Sequence, residues 1–176
     1  TDDGQGCVAV GFQALSANCG NNNTAIGRQS GLVLTGTKNT FVGAEAGDGT
    51  DDGQANVAVG YLALSANCGD DNVAIGEQAL KDCTGSRNTS IGQASGVAVT
   101  SGSNNIFLGH DAGRTGSPGG NITTSDNILS LGDENIATAN IQVALTVASD
   151  QRDKTDFADL ALGLNFVKDL KPVTYK

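Results

Sequence analysis

The chain repeats itself at a spacing too short for most folds to satisfy. TDDGQGCVAVGFQALSANCG from Thr1 returns as TDDGQANVAVGYLALSANCG from Thr50, a displacement of 49 residues. Inside that unit runs a shorter period: NTAIGRQSG from Asn23, NTFVGAEAG from Asn39, NVAVGYLAL from Asn56, NVAIGEQAL from Asn72, NTSIGQASG from Asn88 and NIFLGHDAG from Asn105. Its glycines stand at Gly11, Gly27, Gly43, Gly60, Gly76, Gly92 and Gly109, in steps of 16, 16, 17, 16, 16 and 17. Three short repeats make one long one.

A segment this short cannot bury a hydrophobic face alone and must stack on copies of itself. Helical solenoids need roughly 33 to 47 residues per repeat. Two strands of about five residues and two turns fit instead. Alternation supports strand: in NTAIG, Thr24 and Ile26 project to one side, Ala25 and Gly27 to the other, so one face carries the larger apolar groups and the other stays small. A second strand per rung is expected after each glycine, at SGLVLT (Ser30 to Thr35) and SGVAVT (Ser95 to Thr100). The expected fold is all-β, a parallel β-roll or β-solenoid with rungs of about 16 residues. Asn23, Asn39, Asn56, Asn72, Asn88 and Asn105 then stack at one corner, where amides cap turns and form ladders. The repeated glycines need either positive φ or close approach by another backbone, and the second option points to neighbouring chains.

Composition narrows the function. With 25 glycines, no Met or Trp and 4% aromatic residues, the core must be thin and repetitive. Ten basic against 19 acidic residues give a net charge of −9 and no basic cluster, which argues against nucleic acid as a partner. No apolar run approaches a membrane span, so no membrane insertion is expected in this segment. Starting at Thr1 and stopping at Lys176 in mid-motif, the sequence reads as a piece of a longer protein.

The N-x-(A/S)-(I/V)-G-x-x-(A/S) repeats resemble the head domains of trimeric autotransporter adhesins, and more closely the NTAIGxxAG arrays of phage and bacterial fibre proteins. The match covers residues 1 to 135, with rungs longer than the adhesin pattern. The resemblance implies a homotrimer of β-rolls around a common axis; a monomeric solenoid is the alternative. It also implies a virion tail fibre or extracellular surface location and a host or cell-surface receptor, glycans included, as partner.

Past Gly109 the rhythm loosens. GRTGSPGGNITTSDN reads as a loop, NILSLGDEN from Asn127 as a degenerate rung, and NIQVALTVAS from Asn140 as one more strand, with residues 136 to 148 as connector. Then Phe157, Leu160, Leu164, Val167 and Leu170 recur at three- and four-residue steps, the pattern of an amphipathic α-helix ending before Pro172. The junction SDQRDK and the segment after it resemble the self-cleaving intramolecular chaperone domain of phage tailspikes, tail fibres and endosialidases, whose motif is S-D-x-R-x-K, a helix, then G-L-x-F-(I/V)-x-x-L-x-P-V-x-Y. Ser149, Asp150, Arg152 and Lys154 stand in register, as do Gly163, Leu164, Phe166, Val167, Leu170, Pro172, Val173 and Tyr175; Asp153 replaces an apolar residue. Residues 149 to 176 would then be the start of that domain. The resemblance implies one autoproteolytic cut between Ser149 and Asp150, with Ser149 and Lys154 catalytic, Asp150 and Arg152 supporting, and no turnover of external substrate. Lys154 serves as base only where desolvation or nearby cations lower its pKa. Read from composition alone, the same residues are a polar helix cap.

Other candidates are weaker. Among Cys7, Cys19, Cys68 and Cys83, the pair Cys68 and Cys83 sits one rung apart and suits a disulfide, leaving Cys7 with Cys19; buried thiols are the alternative, and no spacing suggests zinc. Acidic turns at TDDGQ, GDGTDDGQ (Asp48, Asp51, Asp52) and CGDDN (Asp70, Asp71) offer oxygens to calcium but lack the spacing of a calcium loop, so no cofactor and no metal site is assigned. His110, the single histidine, reads as a surface or interchain residue.

Overall fold

The computed structural model describes residues 4–142. Within them the chain is all-β without helix: eight three-residue strands, β1 (Val8–Val10), β2 (Thr24–Ile26), β3 (Thr40–Val42), β4 (Val57–Val59), β5 (Val73–Ile75), β6 (Thr89–Ile91), β7 (Ile106–Leu108) and β8 (Leu129–Leu131). All are parallel and pair in chain order, each with the next, so every rung adds one strand to a single sheet. The register follows the repeat: Ala25 sits beside Phe41, Ala58 beside Ala74. Among the described residues the array up to Thr138 forms one compact unit. The strand expected from Asn140 is described only as far as residue 142, and the expected C-terminal helix lies outside the described residues.

Strands end where they do because of the glycine that follows. Gly27, Gly43, Gly60, Gly76 and Gly92 have φ between 135° and 142°, which an L side chain rarely adopts, and a Cβ on any of them would collide with the carbonyl of the corresponding glycine in the next rung. Both conditions foreseen for these glycines therefore hold together. The approaching backbone belongs to the same chain, however, so the glycines supply no evidence for a neighbouring one.

The second strand per rung is not formed. Gln29 and Gly31 (φ 57° and 59°), like Ala94 and Gly96 (φ 53° and 62°), are left-handed, and a strand cannot incorporate such residues. The amide of Leu34 donates to Gly31 O at 3.3 Å and that of Val99 to Gly96 O at 3.0 Å, closing turns rather than extending the chain. These turns still bond from rung to rung. The amide of Leu15 donates to Ser30 O and that of Leu64 to Ala79 O, at 3.0 and 3.1 Å. One side of each rung is sheet and the rest is stacked turn.

The small face of the sheet points inward. Ala25, Ala58, Ala74 and Ser90 are buried, and the space they leave is filled from across the rung. Where the strand has alanine, leucine occupies the facing turn at Leu64 and Leu80, while Phe41 and Phe107 face Gly47 and Gly113. Phe41 also lies against Gly31, and Phe107 against Gly96, so each ring spans two rungs that lack a large turn residue. Constant core width is kept by exchanging bulk between strand and turn. Between β7 and β8 the loop beginning GRTGSPGG bulges out and returns: Ile122 is buried, and the amide of Thr100 donates to Thr123 O at 2.7 Å, restoring the rung contact.

Candidate functional site

The small-inward arrangement forces the large β-branched residues to the outside. The last residue of each strand is aliphatic at all eight levels: Val10, Ile26, Val42, Val59, Ile75, Ile91, Leu108 and Leu131. The first residues form a parallel column: Val8, Thr24, Thr40, Val57, Val73, Thr89, Ile106 and Leu129. Neither column contains a charge. At the usual strand spacing the stripe runs for about 34 Å. Its exposed members range from Val59 at 36% to Leu129 at 63%. An uncharged apolar surface of this length exceeds the scatter of single apolar residues found on monomers. Beside it, Phe12 and Tyr61 follow their glycines and are also exposed.

Opposite in character is the asparagine corner, which is fully buried at Asn23, Asn39, Asn56, Asn72, Asn88 and Asn105. Each Oδ1 accepts the backbone N–H of the next member, at 2.8 Å from Asn39 to Asn23 and 3.0 Å from Asn105 to Asn88. Each Nδ2 donates to turn carbonyls, as Asn39 does to Gly53 O at 2.8 Å and Asn72 to Gly85 O at 3.0 Å. The ladder ends at Ile128, whose amide donates to Asn105 Oδ1 at 2.8 Å but whose side chain passes nothing on. Sequence reasoning missed a second ladder, two residues earlier in the rung, which runs without a break from Gln54 to Asp126. There the side-chain oxygen of one rung accepts the amide of the rung before: Gln54 N–H to Asp70 Oδ1 at 2.8 Å, Asp70 N–H to Ser86 Oγ at 3.1 Å, Ser86 N–H to Ser103 Oγ at 3.1 Å and Ser103 N–H to Asp126 Oδ1 at 2.7 Å. Its signal was legible as an acceptor side chain two positions before each ladder asparagine.

The remaining candidates fall around this frame. Ser149, Asp150, Arg152 and Lys154 lie outside the described residues. Cys7, Cys19, Cys68 and Cys83 are free thiols, the suggested pair Cys68 and Cys83 included. Burial pushes Cys68 and Cys83 up to about 11 each; Cys68 Sγ contacts Thr50 Oγ1 at 3.2 Å, and Asn88 Nδ2 donates to Cys83 Sγ at 3.4 Å. His110 is exposed, with Nδ1 3.3 Å from Asp133 and 3.6 Å from Asp111, so it has carboxylate neighbours that the sequence did not suggest. Hydrogen bonds from the Asn135 side chain and backbone, followed by the His110 contact, hold the Asp133 carboxyl below its usual range. Asp70 is committed to the second ladder. Asp48 keeps Oδ1 buried without a hydrogen bond, and burial, then the nearby Glu45, raise its pKa. Among the described residues no three His, Cys, Asp or Glu side chains converge as metal ligands, and no helix is long and apolar enough to cross a membrane. Comparisons with protein-family models, with curated proteins and with solved structures match nothing to this chain.

Proposed function

We propose that the chain is a structural and interaction protein, the trimeric shaft or head of a virion tail fibre or similar surface fibre, joined at Ser149 to an assembly chaperone. One observation carries this reading: the unbroken aliphatic column from Val10 to Leu131 on the outer face of the sheet. A partner that covers it must match its rise strand for strand. A second copy of the same chain, parallel and in register, has that rise by construction, and the uncharged columns allow copies to meet despite a net charge of −9 each. Each half-exposed aliphatic side chain withdrawn from water contributes about 1 kcal/mol, and the contributions accumulate along the whole stripe. The number three, the host-attachment role and the single cut between Ser149 and Asp150 come from the resemblance of the repeats and of the SDQRDK junction to fibre proteins and their chaperones. The charged and polar turn columns are then the surface presented to a host or cell-surface receptor such as a glycan.

Sedimentation equilibrium of the full chain tests the assembly. A trimer is expected for the wild type, and dissociation for Val59→Asp/Ile75→Asp, which places two charges in the seam while leaving the core untouched. A monomeric wild type refutes the reading. Intact mass of the protein extended through its chaperone tests the cut: cleavage after Ser149 that is lost in Ser149→Ala supports it, and cleavage that persists in that variant removes the Ser149–Lys154 dyad.

A further inference from the structure

We propose that Cys7 and Cys19 form a redox clasp, which a small-molecule disulfide closes into an intrachain bond that locks the N-terminal rung. Cys7 stands at the ladder position, which asparagine holds in the next six rungs. Its thiol keeps one contact of the missing amide by donating to Gly20 O at 3.2 Å, as Asn56 Nδ2 does to Gly69 O at 2.9 Å. The exchange also brings Cys7 Sγ to 3.5 Å from Cys19 Sγ. In the second copy of the long unit the same two places hold Asn56 and Cys68, so no sulfur pair exists there. A bond requires the sulfurs to close by about 1.5 Å, a displacement that side-chain rotation supplies.

The environment selects this pair. Cys7 is partly exposed, whereas Cys19, Cys68 and Cys83 are buried. Burial, followed by the hydrogen bond with Cys7, raises the Cys19 thiol, and Cys7, the sulfur open to solvent, is the one a small disulfide reaches first. Cys7 gives its proton to solvent, and its thiolate attacks one sulfur of an oxidised glutathione-type disulfide, expelling a thiolate that takes up a proton. Cys19 then loses its proton to solvent and attacks Cys7 Sγ, expelling the second thiol. Two protein thiols are oxidised and one small disulfide is reduced to two thiols.

The position gives the bond its effect. Stacked rungs fray from their ends, and β1 is exposed along its whole length. Joining Cys7 to Cys19 closes a loop that contains β1, and its opening should fall roughly a hundred-fold.

The full chain is incubated with oxidised glutathione and followed by intact mass, peptide mapping and amide exchange. Expected are a loss of about 2 Da, a Cys7–Cys19 linked peptide, Cys68 and Cys83 still reduced, and slower exchange of the β1 amides. The variant Cys7→Asn installs the residue used by the other rungs and should fold, but show neither the mass loss nor the slowing. A link between other cysteines, a persistent glutathione adduct on Cys7, or a bond that forms without slowing β1 exchange overturns the proposal. Equal slowing in Cys7→Asn does so as well.

Discussion

Exchange of bulk between strand and turn makes a quantitative prediction at Phe41 and Gly47. Phe41→Ala removes a fully buried ring from between two rungs and should cost about 4 kcal/mol. Gly47→Leu alone forces a side chain into that ring at a backbone φ of 61°: about 1.5 kcal/mol of left-handed strain and about 2 of overpacking. The double variant recreates the alanine-with-leucine arrangement of Ala58 with Leu64 and Ala74 with Leu80. Leucine holds φ of 51° and 50° at those turns, so the backbone accepts it. With the ring gone the overpacking vanishes, and burial of the new leucine recovers about 2 kcal/mol. The double variant should therefore lose roughly 3.5 kcal/mol where the two singles predict about 7.5, a coupling of about 4 kcal/mol that lies above the range usual between packed neighbours. Urea unfolding of the four proteins at one fixed concentration measures it, which keeps the comparison valid if the chain self-associates as proposed. Additivity to within about 0.5 kcal/mol would refute the exchange of bulk as the rule of this core.

Three further outcomes follow from the ladders and turns. Asp48→Asn should stabilise the protein at pH 7 by roughly 1 kcal/mol, because the half-buried carboxylate has an unsatisfied oxygen and Glu45 nearby. Since the folded pKa of Asp48 is raised, the carboxyl favours folding below its unfolded pKa and that contribution is lost as pH rises through the folded value; the advantage of asparagine should vanish in acid, which urea midpoints at both pH values will show. Asn72→Asp replaces a donor to Gly85 O, Gly69 O and Asn56 Oδ1 by an oxygen and should cost about 3 kcal/mol at neutral pH. Its penalty should shrink on protonation, and a pH-independent loss in the same assay would count against the buried ladder. Gly60→Ala meets Gly76 O at 2.5 Å with φ of 137° and should cost 3 kcal/mol or so, whereas Gly120→Ala, with nothing within 4 Å, should cost about 1, read as the difference between their thermal midpoints.

The rung was legible in the order of residues alone. The step of 16 or 17 residues, the asparagine before each strand and the glycine after it were enough for a stacked parallel sheet, because stacking identical short segments leaves the backbone one way to satisfy its hydrogen bonds. The buried amide ladder was legible for the same reason. The turns were not, since the left-handed positions at Gln13, Gln29, Glu45, Leu62 and Gln78 carry ordinary side chains, and nothing local marks them. That is why SGLVLT read as a strand. The tertiary structure also decided which face of the sheet is inside. Alternation in NTAIG separates Ile26 from Ala25 but assigns neither to the core. The narrow rung settles it: leucine or phenylalanine reaching across admits only small residues at most levels, and the aliphatic column is left on the outside.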